Sequence, residues 1–285
     1  MKQKLYGMVL VVYAASTLLF TVAGGSVSVP DFSVSPSDLA VLSLQTVYPG
    51  AAEGFTVTGN QETVKKEAEI IQLKDSEEKK NPVIFGKDPA VLIVHTHATE
   101  TYLPASANNY HSKSKENSVR DVGEVLAESL EAEGIAVVHD ETLHDSPSYS
   151  SSYSRSYDTI QALLEQYPAI QCVIDLHRDA TASESAAATV STGGKTCGKY
   201  MYVVSTAVPT YKNNLKFVKA LNSVASEQFN GFTGSVLERG YAYNQGLSDK
   251  YLLLEIGNNR NQIEDVRNTA RVYGKILAET LKSGA

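Results

Sequence analysis

Five short aliphatic runs, evenly spread along the second two thirds of the chain, constrain its fold more than anything else. They are VLIV (Val91–Val94), IAVVHD (Ile135–Asp140), AIQCVIDLH (Ala169–His177), KYMYVVST (Lys199–Thr206) and YLLLEIG (Tyr251–Gly257). Continuous apolar runs of this length suit strands buried on both faces. Helical segments separate them. In Val119 to Glu133, the residues Val119, Val122, Leu126 and Leu130 fall at three- and four-residue steps, one apolar helix face, and Gly134 follows as a left-handed stop. Tyr157 to Gln166, Leu215 to Phe229 and Asn261 to Lys282 are the other expected helices. Strands alternating with helices predict an α/β domain over residues 83–285, with a mostly parallel sheet and helices on both faces.

The first 82 residues differ in texture. Leu5 to Gly25 carries no charged residue, and Lys2 and Lys4 precede it. That length suits a transmembrane helix, and the lysines predict a cytoplasmic N-terminus with the remainder outside. A cleaved signal peptide is the rival, since Val22-Ala23-Gly24 is a small-residue stretch. The apolar run exceeds the usual ~7–15 residue signal core, which favours an uncleaved anchor over residues 1–25. Residues 26–82, with PDFSVSPSDLA and the mixed-charge VKKEAEIIQLKDSEEKK, read as a membrane-proximal tether. A net charge of −7 argues against a nucleic-acid partner, which requires a basic face. Cys172 and Cys197 are the only cysteines, compatible with a disulfide or with two buried thiols. Sixteen tyrosines with no tryptophan suit a polar, extended ligand, though tyrosine also packs in cores.

Polar residues at the ends of the aliphatic runs carry the chemistry. His95 and His97 follow VLIV, His177 with Arg178 and Asp179 follows CVIDL, and Glu255 follows YLLL. In an open parallel sheet, ligands gather beyond the carboxyl ends of the strands. Two imidazoles and one carboxylate, with a position left for water, form the ligand set of many catalytic zinc sites. His97 and Glu100 stand at an H-x-x-E spacing that lets one turn supply two ligands, and His177 is the third. Glu255 is then the general base. His95, if the strand runs on, points to the same side as His97 and takes a supporting role or replaces it as ligand. Glu116, before the first helix, is the other candidate for the acidic ligand. Arg178 is a candidate clamp for a substrate carboxylate, as a carboxypeptidase-like enzyme would need. His111, His139 and His144 read as surface residues. A non-catalytic binding scaffold is a further class.

The segments VLIVHTHATETY, VRDVGEVLAESLEAEGIAVVHD, IQCVIDLHRDA and YNQGLSDKYLLLEIG, from about Pro82 to Ala285, resemble the stage II sporulation protein P family. That family is related to zinc-dependent N-acetylmuramoyl-L-alanine amidases, so the resemblance implies an amidase-like fold. It also implies zinc held by His97, an acidic residue and His177, with Glu255 catalytic. The broader amidases take the acidic ligand from just before the first helix, the place of Glu116, whereas HATE points to Glu100. The implied function is cutting the stem peptide from peptidoglycan strands during engulfment, and also cutting stem-peptide cross-links. Implied partners in the same membrane are stage II sporulation proteins D and M, of which D is a lytic transglycosylase.

Overall fold

The structure, a computed structural model, describes residues 83–85, 87–107, 109–182 and 186–284. The expected anchor over 1–25 and the tether over 26–82 lie outside the described residues. Among the described residues, no helix is long and apolar enough to cross a membrane.

Nine strands and four α-helices follow one another in the described chain: β1 (Val83–Phe85), β2 (Val91–Val94), α1 (Val119–Ala132), β3 (Val137–His139), α2 (Ser152–Gln166), β4 (Cys172–Asp179), β5 (Thr189–Thr192), β6 (Lys195–Gly198), β7 (Tyr200–Ser205), α3 (Tyr211–Gln228), β8 (Ser235–Arg239), β9 (Tyr251–Asn258) and α4 (Ile263–Lys282). Seven strands form one sheet in the order β1-β3-β2-β4-β9-β7-β8, and β5 and β6 form a separate hairpin. The pairs β2–β3, β2–β4, β4–β9 and β7–β8 are parallel, while β1–β3 and β7–β9 are antiparallel. Each of the five aliphatic runs contains a strand. The expected helices are present too, with α2 beginning five residues and α3 four residues earlier than the apolar spacing implied. The hairpin and the edge strands β1 and β8 gave no such signal; every residue of β5 and β8 is exposed or half-buried.

The two faces of the sheet divide by the period-two alternation of strands. Val91, Ile93, Cys172, Ile174, Leu176, Leu252, Leu254 and Ile256 pack with residues of α1, α3 and α4. Leu92, Val94, Val173 and Tyr251 pack with Ile160 and Leu163 of α2. Alternation therefore places Asp175 and His177 on the α2 side of β4. Their Cα register partners Leu253 and Glu255 lie beside them on β9. The ionic groups of β4 thus lie on the face covered by α2, and the larger apolar layer lies on the face covered by α1, α3 and α4.

Helix α1 starts where Ser118 caps it, its hydroxyl accepting from the Arg120 N–H at 3.3 Å. It ends as expected at Gly134, whose φ of 81° is the left-handed stop. Both cysteines are free, buried thiols, so the disulfide alternative does not hold. Two histidines read as surface residues are core residues instead. His139 is fully buried on β3, and His144 is buried with Nδ1 2.9 Å from the His95 carbonyl. His111 is exposed, as expected.

His139 pairs with His95, their Nε2 atoms 2.8 Å apart, and His95 Nδ1 lies 3.0 Å from the Leu176 carbonyl. A carbonyl only accepts, so His95 donates from Nδ1 and its Nε2 receives the His139 proton. Burial keeps both rings neutral, lowering the His139 pKa to about 3 and that of His95 well below its ordinary value. The two rings press on α1 at Gly123, where an added Cβ would meet His139 Nε2 at 2.7 Å and His95 at 2.8 Å. Gly123→Ala should therefore lower the melting temperature even though alanine favours helix. Overpacking against two bonded rings costs about 1–3 kcal/mol and exceeds the helix gain. A variant as stable as the parent would show that these rings are not packed on α1 as described.

Candidate metal centre

The chain turns back on itself between β2 and β4. From β2 it moves outward to β3, then returns to β4 on the other flank of β2. A crevice opens at such a reversal of strand order, beyond the carboxyl ends of the strands. His97, beyond β2, and His177, on β4, meet there edge-on with ring centroids 5.0 Å apart.

Strand β2 stops at Val94, and residues 96–99 form a turn, with the Glu100 N–H donating to the His97 carbonyl at 3.2 Å. This corrects the expectation that His95 and His97 face the same side. His95 continues the strand alternation onto α1. The turn swings His97 under α2, against Tyr149 at 4.2 Å and Tyr153 at 5.5 Å between ring centroids. His95 still supports the site, since the carbonyl it binds belongs to Leu176, next to His177.

The same turn brings Glu100 beside His97. One ligand atom each from His97, Glu100 and His177 lies within 4.8 Å of the others, a group that could hold a metal ion. His97 Nδ1 is 3.8 Å from Glu100 Oε1, and His177 Nδ1 is 3.6 Å from Glu100 Oε2. Glu116 is exposed and outside this group. Two neutral-capable imidazoles and a carboxylate suit a divalent zinc-like ion, which accepts nitrogen and oxygen donors at one centre.

Residues silent in the sequence reading hold this turn. Asp175 accepts from the Thr96 N–H at 2.8 Å and from the Thr96 hydroxyl at 2.7 Å. Asp145 accepts from the Thr99 N–H at 3.0 Å and the Thr99 hydroxyl at 2.6 Å. Arg120, fully buried, donates to the carbonyls of Ala98, Lys113 and Ser114. Asp175 also lies 2.9 Å from His177 Nε2, though off the line a hydrogen bond needs. Carboxylates behind metal-ligating imidazoles commonly fix ring orientation. The one available signal was the carboxylate two residues before His177 in an otherwise aliphatic strand.

Arg178 does not present a free clamp. Its guanidinium is buried and donates to the carbonyls of Thr101 at 3.2 Å, Tyr110 at 3.0 Å and Asp179 at 3.5 Å. Its backbone N–H donates to Glu100 Oε2 at 3.1 Å. Arg178 thus fastens the Glu100 loop to β4 in place of gripping a substrate carboxylate, which removes the feature the carboxypeptidase-like reading needed.

Glu255 sits within β9, in register with His177. Its Oε2 is enclosed and has no hydrogen-bond partner. Burial, opposed by His177 and reinforced by Glu100 and Asp179, raises its pKa to about 8. Glu100 is the counterpart: burial is outweighed by His177, Arg178 and His97, and its pKa falls to about 2. Burial also opposes charge on His177, but Asp175 and Glu100 outweigh it and hold its pKa well above the ordinary value. His97 goes down to about 4, by burial and then by His177.

The raised Glu255 pKa has a thermodynamic consequence for the metal-free chain. Between the unfolded carboxyl value of about 4.5 and the folded value of about 8, the native state keeps a proton that the unfolded state has lost. Stability contributed by this group is full below that window and falls as pH rises through it. Glu255→Gln carries no such penalty. The melting-temperature gap in favour of Gln should therefore be near zero at pH 4.5 and on the order of 5 °C at pH 8. A gap independent of pH would contradict the burial assigned to Glu255.

Stage II sporulation protein P, as a family, matches residues 45–278 of the chain. The Stage II sporulation protein P of Bacillus subtilis (strain 168) is 28% identical over 211 residues, covering 68% of this chain and 51% of that protein. This chain's match thus spans about half the length of that relative. Among solved structures, an N-acetylmuramyl-L-alanine amidase from Mycobacterium smegmatis matches with a TM-score of 0.43 and 11% identity, over 68% of this chain and 96% of that one. The CwlD amidase from Clostridioides difficile, solved in complex with the GerS lipoprotein, matches with a TM-score of 0.43 and 13% identity, over 68% of this chain and 99% of that one. Likenesses of that size leave function to the site itself. The family match takes in His97, Glu100, His177 and Glu255, and with most of its length matched, the chain belongs to the stage II sporulation protein P family.

Proposed function

We propose that the chain is a zinc-dependent peptidoglycan hydrolase that cuts the amide bond between N-acetylmuramic acid and L-alanine of the stem peptide, and stem-peptide cross-links as well. The observation that carries this reading is the convergence of His97, Glu100 and His177 beside an enclosed carboxyl of Glu255. Two imidazoles and one carboxylate are a catalytic rather than a closed structural donor set, since they leave a position for water. Family membership supports sporulation as the setting.

His97, Glu100 and His177 would hold the ion. A zinc ion there supplies the charge that acidifies water and polarises the scissile carbonyl. Glu255 removes the proton from the attacking water and hands it to the leaving amine nitrogen. An enclosed carboxyl in register with His177 is placed to do both, taking a proton from water and returning it to the amine. Asp175 orients His177, and Arg178 keeps Glu100 in place.

The anchor expected over residues 1–25 supports an extracytoplasmic enzyme tied to the cell membrane, with its substrate in the adjacent wall. Stage II sporulation proteins D and M are proposed partners on the family resemblance alone.

Purified sacculi test the reading. The full chain with zinc should release stem peptides bearing new amino termini at L-alanine, and Glu255→Gln should lower the rate by at least about a thousandfold while retaining zinc. Unchanged release by Glu255→Gln would remove Glu255 from the mechanism. No release by the parent chain under any metal would remove the hydrolase.

A further inference from the structure

A line of aromatic rings leads away from the metal centre to the surface. Tyr149 stacks on His97, Tyr153 meets His97 edge-on, Tyr243 packs on Tyr153 at 5.6 Å, and Tyr241 packs on Tyr243 at 5.9 Å between centroids. Its two ends are open: Tyr149 is 53% and Tyr241 57% exposed. Core packing does not account for rings left in water.

The segment that carries this line is strained. Tyr243 and Asn244 have φ of 47° and 57°, consecutive left-handed conformations in non-glycine residues. Such positions cost on the order of 1–3 kcal/mol each and cluster at ligand clamps, held by the surrounding structure. Here Asn244 Nδ2 donates to the Tyr153 carbonyl and to Ser156 Oγ, both at 2.9 Å. Gln245, buried, accepts from the Ser205 N–H at 2.9 Å and donates to the Val203 carbonyl at 2.8 Å. One bonded pair ties the segment to α2, the other to β7. Together they fix Tyr243 against Tyr153.

We propose that Tyr241, Tyr243, Tyr153 and Tyr149 form a saccharide subsite, which seats the glycan strand while its attached peptide lies at the metal centre. Tyrosine offers an apolar ring face to sugar C–H groups at low entropic cost, and the exposed Tyr241 adds a phenol for sugar hydroxyls, whereas the Tyr149 phenol lies 3.2 Å from His97 Nδ1. The identity of the strand rests on the peptidoglycan reading above; the subsite itself rests on the rings.

The probe is a peptide-free tetramer of N-acetylglucosamine, titrated calorimetrically into the full chain with and without zinc. It should bind, and Tyr241→Ala should weaken binding about fivefold. On sacculi, the same variant should raise KM by a similar factor and leave kcat unchanged, which a structural defect would not do. Tyr241 is mostly exposed, and among the described residues its ring contact is with Tyr243, so its loss spares the core. Failure of the tetramer to bind, or equal binding to Tyr241→Ala, overturns the subsite. So does a sugar-free stem peptide whose binding is lost in Tyr241→Ala. Tetramer binding through Tyr241 without peptide release from sacculi supports the subsite and sinks the hydrolase reading, so the two fail separately.

Discussion

The parallel register of β4 with β2 and β9 is the constraint on which the site depends. It places Asp175 opposite Val94, where β2 ends, and His177 opposite Glu255. A slip of one residue would turn every β4 side chain to the other face. His177 and Asp175 would then enter the aliphatic layer under α1, α3 and α4, and Leu176 would take their place. Burying charge there would be far costlier than any gain from pairing. Aliphatic contacts on one face and ionic contacts on the other thus agree on one register. The fold and the site specify each other.

Within that register, charge is kept soluble in the interior by mutual pairing. Glu100 is the hub, near His97, His177 and the Arg178 guanidinium, and accepting from the Arg178 backbone. Asp175 serves the same purpose one layer deeper, with Thr96 and Tyr251 hydroxyls donating to it. Glu255 is enclosed as well, and its Oε2 has no hydrogen-bond partner. A group in that position costs about 1–3 kcal/mol unless something else meets it. Substrate water, in the proposed mechanism, is what meets it. The same preference for strain near the chemistry appears in the Tyr243–Asn244 backbone.

Much of this was legible in the chain, and the limits are physical. The aliphatic runs announced the central strands, and polar residues closing three of them announced the site. A run such as VLIV does not, however, reveal which of its residues faces which layer. The direction of His97 relative to His95 depends on where β2 stops, and that depends on Asp175, Asp145 and Arg120 reaching in from distant segments. His139 and His144 looked exposed because polar residues seldom lie in cores, yet each finds a buried partner far away in sequence. Arg178 looked like a clamp because a lone cation near a site invites that reading; its partners are backbone carbonyls, which sequence does not show. The antiparallel turn of β7 against β9 likewise comes from long-range pairing.

Metal stoichiometry tests the central claim most directly. The purified full chain, equilibrated with zinc and then dialysed, should retain one ion per chain by elemental analysis. His177→Ala and Glu100→Ala should each lose it, while Glu116→Ala, altered at an exposed carboxylate, should keep it. Retention of zinc by Glu100→Ala together with its loss in Glu116→Ala would contradict the centre described for this fold.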